Sequence, residues 1–313
     1  MPEGKVKLSL VVPLYNEVES LHELHSRISE VLCTLQKPAE IIFVDDGSTD
    51  GSFQVLKELH QKDRRIRVVQ FRRNYGKSAA LAVGFQHARG EVIVTLDADL
   101  QDDPQEIPRL LAKLEEGYDL VSGWKKKRRD RFIKRWTSRI FNRVTSLLTG
   151  IKLHDINCGL KAYRREVTES IKVYGQLHRF LPVLAHWERF RVGEIEVQHH
   201  PRKYGKTKFG PSRFFAGFFD LITVLFLTRY TRRPLHLFGL AGLISLVAGL
   251  LINGILAYQR IFHQKYLSNR PLLFLGILLV IVGVQLFSIG LLGEMITESR
   301  KDRMEYLIKC ILE

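Results

Sequence analysis

Thr95-Leu96-Asp97-Ala98-Asp99-Leu100-Gln101-Asp102-Asp103-Pro104 closes an apolar run, Val92-Ile93-Val94, with two carboxylates spaced one residue apart. In an extended segment residues two apart point the same way, so Asp97 and Asp99 are placed to share one hard cation or one cation-bridged diphosphate. A Mg²⁺ or Mn²⁺ held by few protein oxygens keeps positions open for phosphate oxygens, the arrangement that activates a phosphorylated leaving group. The plainer alternative is a solvated strand-to-helix turn in which Asp102 or Asp103 caps the helix opened by Pro104. The rest of the chain favours the first.

Upstream, Leu8-Ser9-Leu10-Val11-Val12-Pro13 is a short apolar run stopped by proline and followed by a helical pattern through Leu21, Leu24, Ile28, Val31 and Leu32. A strand and then a helix are expected. The unit recurs at Glu40 to Asp45 with Phe53, Leu56 and Leu59, at Ile66 to Phe71 with Ala79 to Ala88, and at Val92 to Leu96 with Ile107 to Leu114. Alternating strands and helices with wholly apolar strands imply an α/β fold, a mostly parallel sheet covered on both faces. Such sheets bind ligands at the carboxyl ends of their strands. Each unusual polar cluster here falls at one of those ends.

The 313 residues hold one domain of ordinary size plus a smaller appendage. Leu235 to Ala257 and Leu272 to Gly293 contain no Asp, Glu, Lys or Arg, and each is long enough to cross a bilayer as a helix. Gly276, Gly283 and Gly290 recur every seven residues and mark a packing seam on one helix face. That seam and the basic segments point to a homo-oligomer. Phe214 to Leu227, aromatic and interrupted by Asp220, is expected to lie in the interface plane. The net charge of +15 is concentrated in Lys125 to Arg131, in Lys134-Arg135 and in Arg229, Arg232 and Arg233. Beside membrane spans, acidic headgroups and a lipid phosphate are the expected partners, not nucleic acid. Three separated cysteines offer neither a disulfide framework nor a zinc spacing. The amino terminus lacks a signal-peptide pattern, which keeps the large domain on the side of synthesis. Two spans would return the basic carboxyl-terminal segment to that side.

Pro13-Leu14-Tyr15-Asn16-Glu17 and Val44-Asp45-Asp46-Gly47-Ser48-Thr49-Asp50 end adjacent expected strands and offer backbone donors and carboxylates to a base and ribose. A self-capped turn accounts for the second cluster as well. Arg73-Asn74-Tyr75-Gly76-Lys77 follows the third strand, where Lys77 meets a phosphate or sugar, or is a solvated loop cation. In order and spacing, these clusters with Asp97-x-Asp99 resemble the inverting, metal-dependent glycosyltransferases of the GT-A fold over about Val6 to Gly123. The resemblance implies nucleotide-sugar binding by Pro13, Tyr15, Glu17, Asp46, Lys77, Asp97 and Gln101. It also implies Mg²⁺ or Mn²⁺ on Asp97 and Asp99, with Asp99 at the reacting centre. Farther on, His154-Asp155-Ile156-Asn157-Cys158-Gly159-Leu160-Lys161-Ala162-Tyr163-Arg164-Arg165 and Arg202-Lys203-Tyr204-Gly205-Lys206-Thr207-Lys208 resemble motifs of polyprenyl-phosphate glycosyltransferases. Over nearly its whole length the chain is similar to bacterial bactoprenol glucosyltransferases. This implies a catalytic Asp155 at the acceptor, and Arg202, Thr207 and Lys208 on the lipid phosphate or the leaving diphosphate.

The resemblance implies a Rossmann-like GT-A half at 1–124, an acceptor region with a basic amphipathic helix at 125–212, an interfacial helix at 213–234, two spans at 235–293 and a cytosolic tail at 294–313. The implied reaction moves a hexose, glucose from UDP-glucose foremost, to undecaprenyl phosphate at the cytosolic face of a bacterial inner membrane. Synthases using GDP-mannose or transferring an aminoarabinose share these motifs. A processive synthase is disfavoured because Arg135-Trp136 is preceded by Phe132 where that family has Gln. A sensor or lipid carrier is the alternative of another class. A phosphate monoester is largely ionised near neutral pH, with a second pKa of about 6. Asp155 is therefore left to orient the acceptor, to take a residual proton or to stabilise positive character at the anomeric carbon.

Overall fold

A computed structural model describes residues 6–126, 145–146, 150–171, 173, 175, 177–201, 203–204, 234–263, 271–299 and 308–312. The expected basic amphipathic helix, the expected interfacial helix at 213–234, and Arg202, Thr207 and Lys208 lie outside the described residues, except Lys125, Lys126, a helical fragment at 145–146 and Pro234, which opens the following helix. The chain divides into two compact units, Met1–Val224 with Glu305–Glu313, and Leu225–Met304.

The first unit alternates β1 (Leu8–Leu14), α1 (Leu21–Leu35), β2 (Ala39–Asp45), α2 (Ser52–Lys62), β3 (Ile66–Phe71), α3 (Lys77–His87) and β4 (Val92–Thr95). A 3-10 turn at Pro104–Glu106 opens α4 (Ile107–Glu115), followed by β5 (Leu120–Trp124), β6 (Lys161–Arg164), α5 (Arg165–Ser170), α6 (Leu181–Trp187) and β7 (Val192–Glu196). The strands form one sheet of order β7-β5-β6-β4-β1-β2-β3-β8, with β8 (Ile308–Leu312) at its far edge. Pairings are parallel except where β6 meets β4 and β5, and where β8 meets β3. The four strand-helix repeats therefore fold as read. The second half of the sheet and β8 were not anticipated.

Burial follows the two-residue strand period. Leu8, Leu10, Val12 and Leu14 of β1 pack with Leu21, Leu24 and Ile28 of α1, Leu56 of α2 and Leu110 of α4. Val11, Ile42 and Val44 face the other way, onto Ala79, Ala80 and Val83 of α3 and Leu181 and Ala185 of α6. Two covered faces explain why the strands are apolar throughout. The strand order reverses at β1, whose neighbours are β2 on one side and β4 on the other. A crevice opens at the carboxyl ends of strands at such a reversal, and Pro13 to Glu17 and Asp97 to Asp99 flank it.

The described residues of the second unit form α7 (Pro234–His263) and α8 (Pro271–Ser299), containing apolar stretches at Phe238–His263 and Pro271–Gly293 long enough to cross a membrane. Leu240, Leu251, Phe274 and Ile281 are exposed at 50% or more, a surface suited to lipid and costly in water. The helices run antiparallel with backbones in close approach. A Cβ at Gly242 falls 2.7 Å from the Gly283 carbonyl oxygen, and one at Gly249 falls 2.7 Å from that of Gly276. Ser245 donates to the Leu279 carbonyl at 2.8 Å. The glycine seam is thus occupied within the chain, and its use as support for a homo-oligomer is corrected: the surface it would offer a second copy is taken by α7.

Candidate active site

At the β1 and β2 side of the crevice, the loops that follow these strands knit together. The register pairs Pro13 with Val44 and Leu14 with Asp45. Beyond the strand, Asn16 turns left-handed at φ 56°. Its N–H donates to the Ser48 hydroxyl at 2.9 Å, that of Glu17 to Ser52 at 3.1 Å, and that of Val18 to Asp50 at 3.1 Å. Asp45 accepts from the Ser48 N–H at 2.9 Å. Asp45, Ser48 and Asp50 thus serve the turn, while Asp46 does something else. Almost fully buried, it accepts the N–H groups of Tyr75 at 2.7 Å and Gly76 at 2.9 Å. Burial pushes its carboxyl up to about 6 against the pull of those two donors. Tyr15 and Glu17 are half-buried along the same loop.

β4 ends at Thr95, so strand alternation does not relate Asp97 to Asp99, which corrects the sequence argument for their shared direction. Both lie in the following turn. Leu100 is left-handed at φ 58°, an uncommon conformation for a bulky residue, and the Gln101 N–H donates to Asp99 at 3.2 Å. Asp103 caps the 3-10 turn by accepting from the Gln105 N–H at 3.0 Å, so the capping reading holds for Asp103. The Lys77 ammonium pairs with Asp97 Oδ1. Burial opposes the charge on Asp97, but Lys77, with Lys125 and Lys161 behind it, outweighs burial and holds the carboxyl at about 2. Gly159 packs on the same carboxylate, a Cβ there falling 2.5 Å from Oδ2.

The basic run expected to face lipid begins differently. Lys125 is turned inward, 12% exposed, with its ammonium 2.6 Å from the buried Asp102 carboxylate. Counting Lys125 among lipid-facing cations is therefore corrected, because a buried carboxylate claims its charge; residues 127–131 lie outside the described residues. Lys161, on β6, was not anticipated as part of the site. It is buried, donates to the Cys158 carbonyl, and has its pKa lowered by burial, with Lys77 adding to the effect. Its signal was a lysine beside Leu160, Ala162 and Tyr163. Burial and Lys77 hold His178 neutral, its Nδ1 2.9 Å from the Ser78 hydroxyl. Burial pushes the Cys158 thiol up to about 12, leaving it unreactive.

Asp155 is 2% exposed and accepts from the Asn157 N–H at 3.3 Å. Its loop meets the Asp97 loop, since Thr95 donates to the Gly159 carbonyl at 2.8 Å. The chain entering Arg202 is tied to the same place. The His200 N–H donates to the Gln101 carbonyl at 2.9 Å, His200 Nε2 lies 3.0 Å from Asp103, and Asp102 bridges to His199. Gln101 thus has a backbone role in this joint.

Residues 9–172 match the model of glycosyl transferase family 2. The chain is 38% identical over 303 residues to the dodecaprenyl-phosphate galacturonate synthase of Rhizobium johnstonii, covering 95% of this chain and 90% of that protein. Among solved structures, glucosyl-3-phosphoglycerate synthase from Mycobacterium tuberculosis with Mn²⁺, UDP-glucose and phosphoglyceric acid superposes with a TM-score of 0.55 at 20% identity, over 71% of this chain and 79% of that one. Its complex with phosphoglyceric acid gives a TM-score of 0.55 at 21% identity, over 71% and 80%. At such identity the likeness concerns the fold, which is the GT-A type implied by the motifs. With the family model spanning more than half of its length and a 38% identical relative covering nearly all of it, the chain belongs to glycosyl transferase family 2.

Proposed function

We propose that this glycosyltransferase moves a hexose from a nucleoside-diphosphate donor to the phosphate of a polyprenyl lipid, inverting the anomeric centre, with a divalent cation on Asp97 and Asp99. The observation that carries the reading is the contact of Gly159, four residues past Asp155, with the Asp97 carboxylate. It brings the diphosphate end of the donor and the residue assigned to the acceptor to one place, as direct displacement requires.

The residues fit the cation. Asp97 is kept ionised, and Lys77 already sets a positive charge on one of its oxygens. Two carboxylates leave room for phosphate and water oxygens, which suits Mg²⁺ or Mn²⁺. The Mn²⁺ of the M. tuberculosis enzyme agrees. Such an ion supplies Lewis-acid neutralisation of the departing diphosphate.

Pro13, Tyr15, Glu17 and Asp46 hold the nucleoside, and Lys77 and Gln101 serve the diphosphate-sugar. An ionised lipid phosphate oxygen attacks the anomeric carbon as the bond to the diphosphate breaks, so an α-linked donor gives a β-linked product. Asp155 orients the acceptor and takes any residual proton. Arg202, Thr207 and Lys208 are assigned to the phosphates; the tether of His199 and His200 to Gln101, Asp102 and Asp103 supports that assignment. Glucose was the sugar implied by the motifs, but the 38% identical relative is named for galacturonate, so galacturonate is the sugar to test first. The two apolar helices anchor the catalytic unit at the cytoplasmic face of a bacterial inner membrane.

The test supplies detergent-purified protein and undecaprenyl phosphate with radiolabelled UDP-galacturonate, UDP-glucose or GDP-mannose, with Mg²⁺, with chelator, and with Asp155→Ala. Metal-dependent label in the lipid phase, lost in Asp155→Ala, supports the reading, and the donor that labels identifies the sugar. No label from any donor, with nucleotide-sugar binding intact, would leave a sensor or carrier in its place.

A further inference from the structure

We infer that Glu194, on β7, is a positioning residue that sets Asp155 for attack. The inference rests on the acceptor role proposed for Asp155. Asp155 lies in a loop between the described residue 150 and the start of β6, and a loop needs an external reference to fix a reacting group. Glu194 supplies one. Its Oε2 accepts the His154 backbone N–H at 2.9 Å and its Oε1 lies 2.5 Å from His154 Nδ1, so one carboxylate engages both ends of the residue before Asp155.

The clamp stands on rigid elements. β5 and β7 pair in parallel, with Ser122 opposite Glu194 and Trp124 opposite Glu196. Trp124 stacks on the His154 ring, centroids 4.2 Å apart at 16°, and so holds the ring that Glu194 engages. Lys126 lies 5.3 Å over the Trp124 ring and pairs with Glu196 at 3.0 Å, steadying the platform from its other side. The Glu194 side chain is 15% exposed, against 64% for that of His154, so the carboxylate is the shielded and the imidazole the wet member of the pair. After Asp155, the Asn157 N–H donates back to its Oδ1, closing the loop on the other side. The backbone that enters Asp155 is therefore anchored to β5 and β7, strands remote in sequence.

The experiment measures lipid-phase transfer and UDP binding for Glu194→Ala, Glu194→Asp and Glu194→Gln, each also in an Asp155→Asn background. A displacement on the order of 1 Å costs about 100-fold in rate. Glu194→Ala should lower kcat by about that factor with UDP affinity and donor KM within about twofold. Glu194→Asp, which keeps the charge and withdraws it by one methylene, should lose at least about tenfold, while Glu194→Gln, still able to accept the backbone N–H, stays within about threefold. In Asp155→Asn the Glu194 substitutions should cost nothing further, because they act through Asp155. The same step persisting in that background, or UDP affinity falling in parallel with kcat in Glu194→Asp, would overturn the inference. If Glu194→Ala does not fold, the Asp and Gln variants decide by the same comparison. Full transfer by Asp155→Asn alone would remove the premise while leaving metal-dependent transfer standing.

Discussion

Gly159→Ala tests whether the meeting of the two loops matters to the chemistry. The glycine backbone is compatible with alanine, so the added methyl group acts through contact alone. It falls 2.5 Å from Oδ2, 2.6 Å from Cγ and 2.9 Å from Oδ1 of Asp97. Ordinary contact needs about 3.5 Å, so the carboxylate or the Gly159 loop must give by about 1 Å. Lys77 holds the carboxylate from another direction, and Thr95 holds the Gly159 carbonyl. A shift of that size at the proposed diphosphate-cation site predicts a loss of about 100-fold in kcat. The midpoint for Mn²⁺ should rise by at least about tenfold, the usual cost of disturbing a ligand's support. The loops around Asp46, proposed to hold the nucleoside, are untouched, so metal-free UDP binding reports that the protein is folded. The assay is transfer across a Mn²⁺ titration beside UDP binding in chelator. Unchanged kcat and an unchanged Mn²⁺ midpoint would refute the placement of Asp97 at the cation.

Between its ordinary 3.8 and its folded value of about 6, Asp46 keeps a proton in the folded chain that the unfolded chain releases. Its contribution to stability is therefore full below about pH 4 and lost as pH rises through 6, a change of about 3 kcal/mol. Thermal midpoints of apo protein from pH 4 to 7.5 should show this decline, and Asp46→Asn should flatten it; an unaltered slope would assign the proton elsewhere. Lys125→Met leaves the buried Asp102 carboxylate without its ammonium and should destabilise the catalytic unit by about 3–5 kcal/mol, with Asp102→Asn in the same chain recovering part of the loss in detergent melts. Gly249→Leu should lower the melting temperature of the anchor, since overpacking costs about 1–3 kcal/mol, whereas Gly254→Leu, with nothing within 4 Å of its Cβ, should not; equal effects would argue against the observed seam.

The first half of the sheet was legible because its signals are local. The apolar positions read for α1 from Leu21 to Leu32 are the ones it buries, and β1 to β4 follow from apolar runs ending in polar clusters. β6 and β7 escaped because they are short and carry Lys161, Arg164, Glu194 and Glu196 among few apolar residues. Their pairing across the sheet, which no periodicity records, makes them strands. The basic run misled for a similar reason, since nothing in a series of cations marks the one that turns inward to Asp102. Glu194 was equally silent: its partner, His154, lies on the far side of β6 and the helices α5 and α6. Polar residues that support a site from neighbouring strands are legible once the sheet order is known.

β8 adds a constraint that the charge pattern supplied only weakly. The last turn of α7 carries Arg260, and Lys265 and Arg270 lie in the sequence between the two apolar helices, so positive charge lies at both ends of the spans. β8 follows α8 and pairs antiparallel with β3, matching Val68 with Leu312 and Gln70 with Cys310. Strands β1 to β7, earlier in the chain than α7, and β8, later than α8, thus belong to one folded sheet. If both helices cross a bilayer, their flanks share one side of it, and the crevice between β1 and β4 shares that side with them. Pairing with β8 also covers an edge strand that would otherwise present open backbone groups. Proteolysis of sealed, oriented vesicles therefore has a definite expected outcome: sites in the catalytic unit and in β8 become accessible together, and cleavage of one from the side that protects the other would rule out the two-span arrangement.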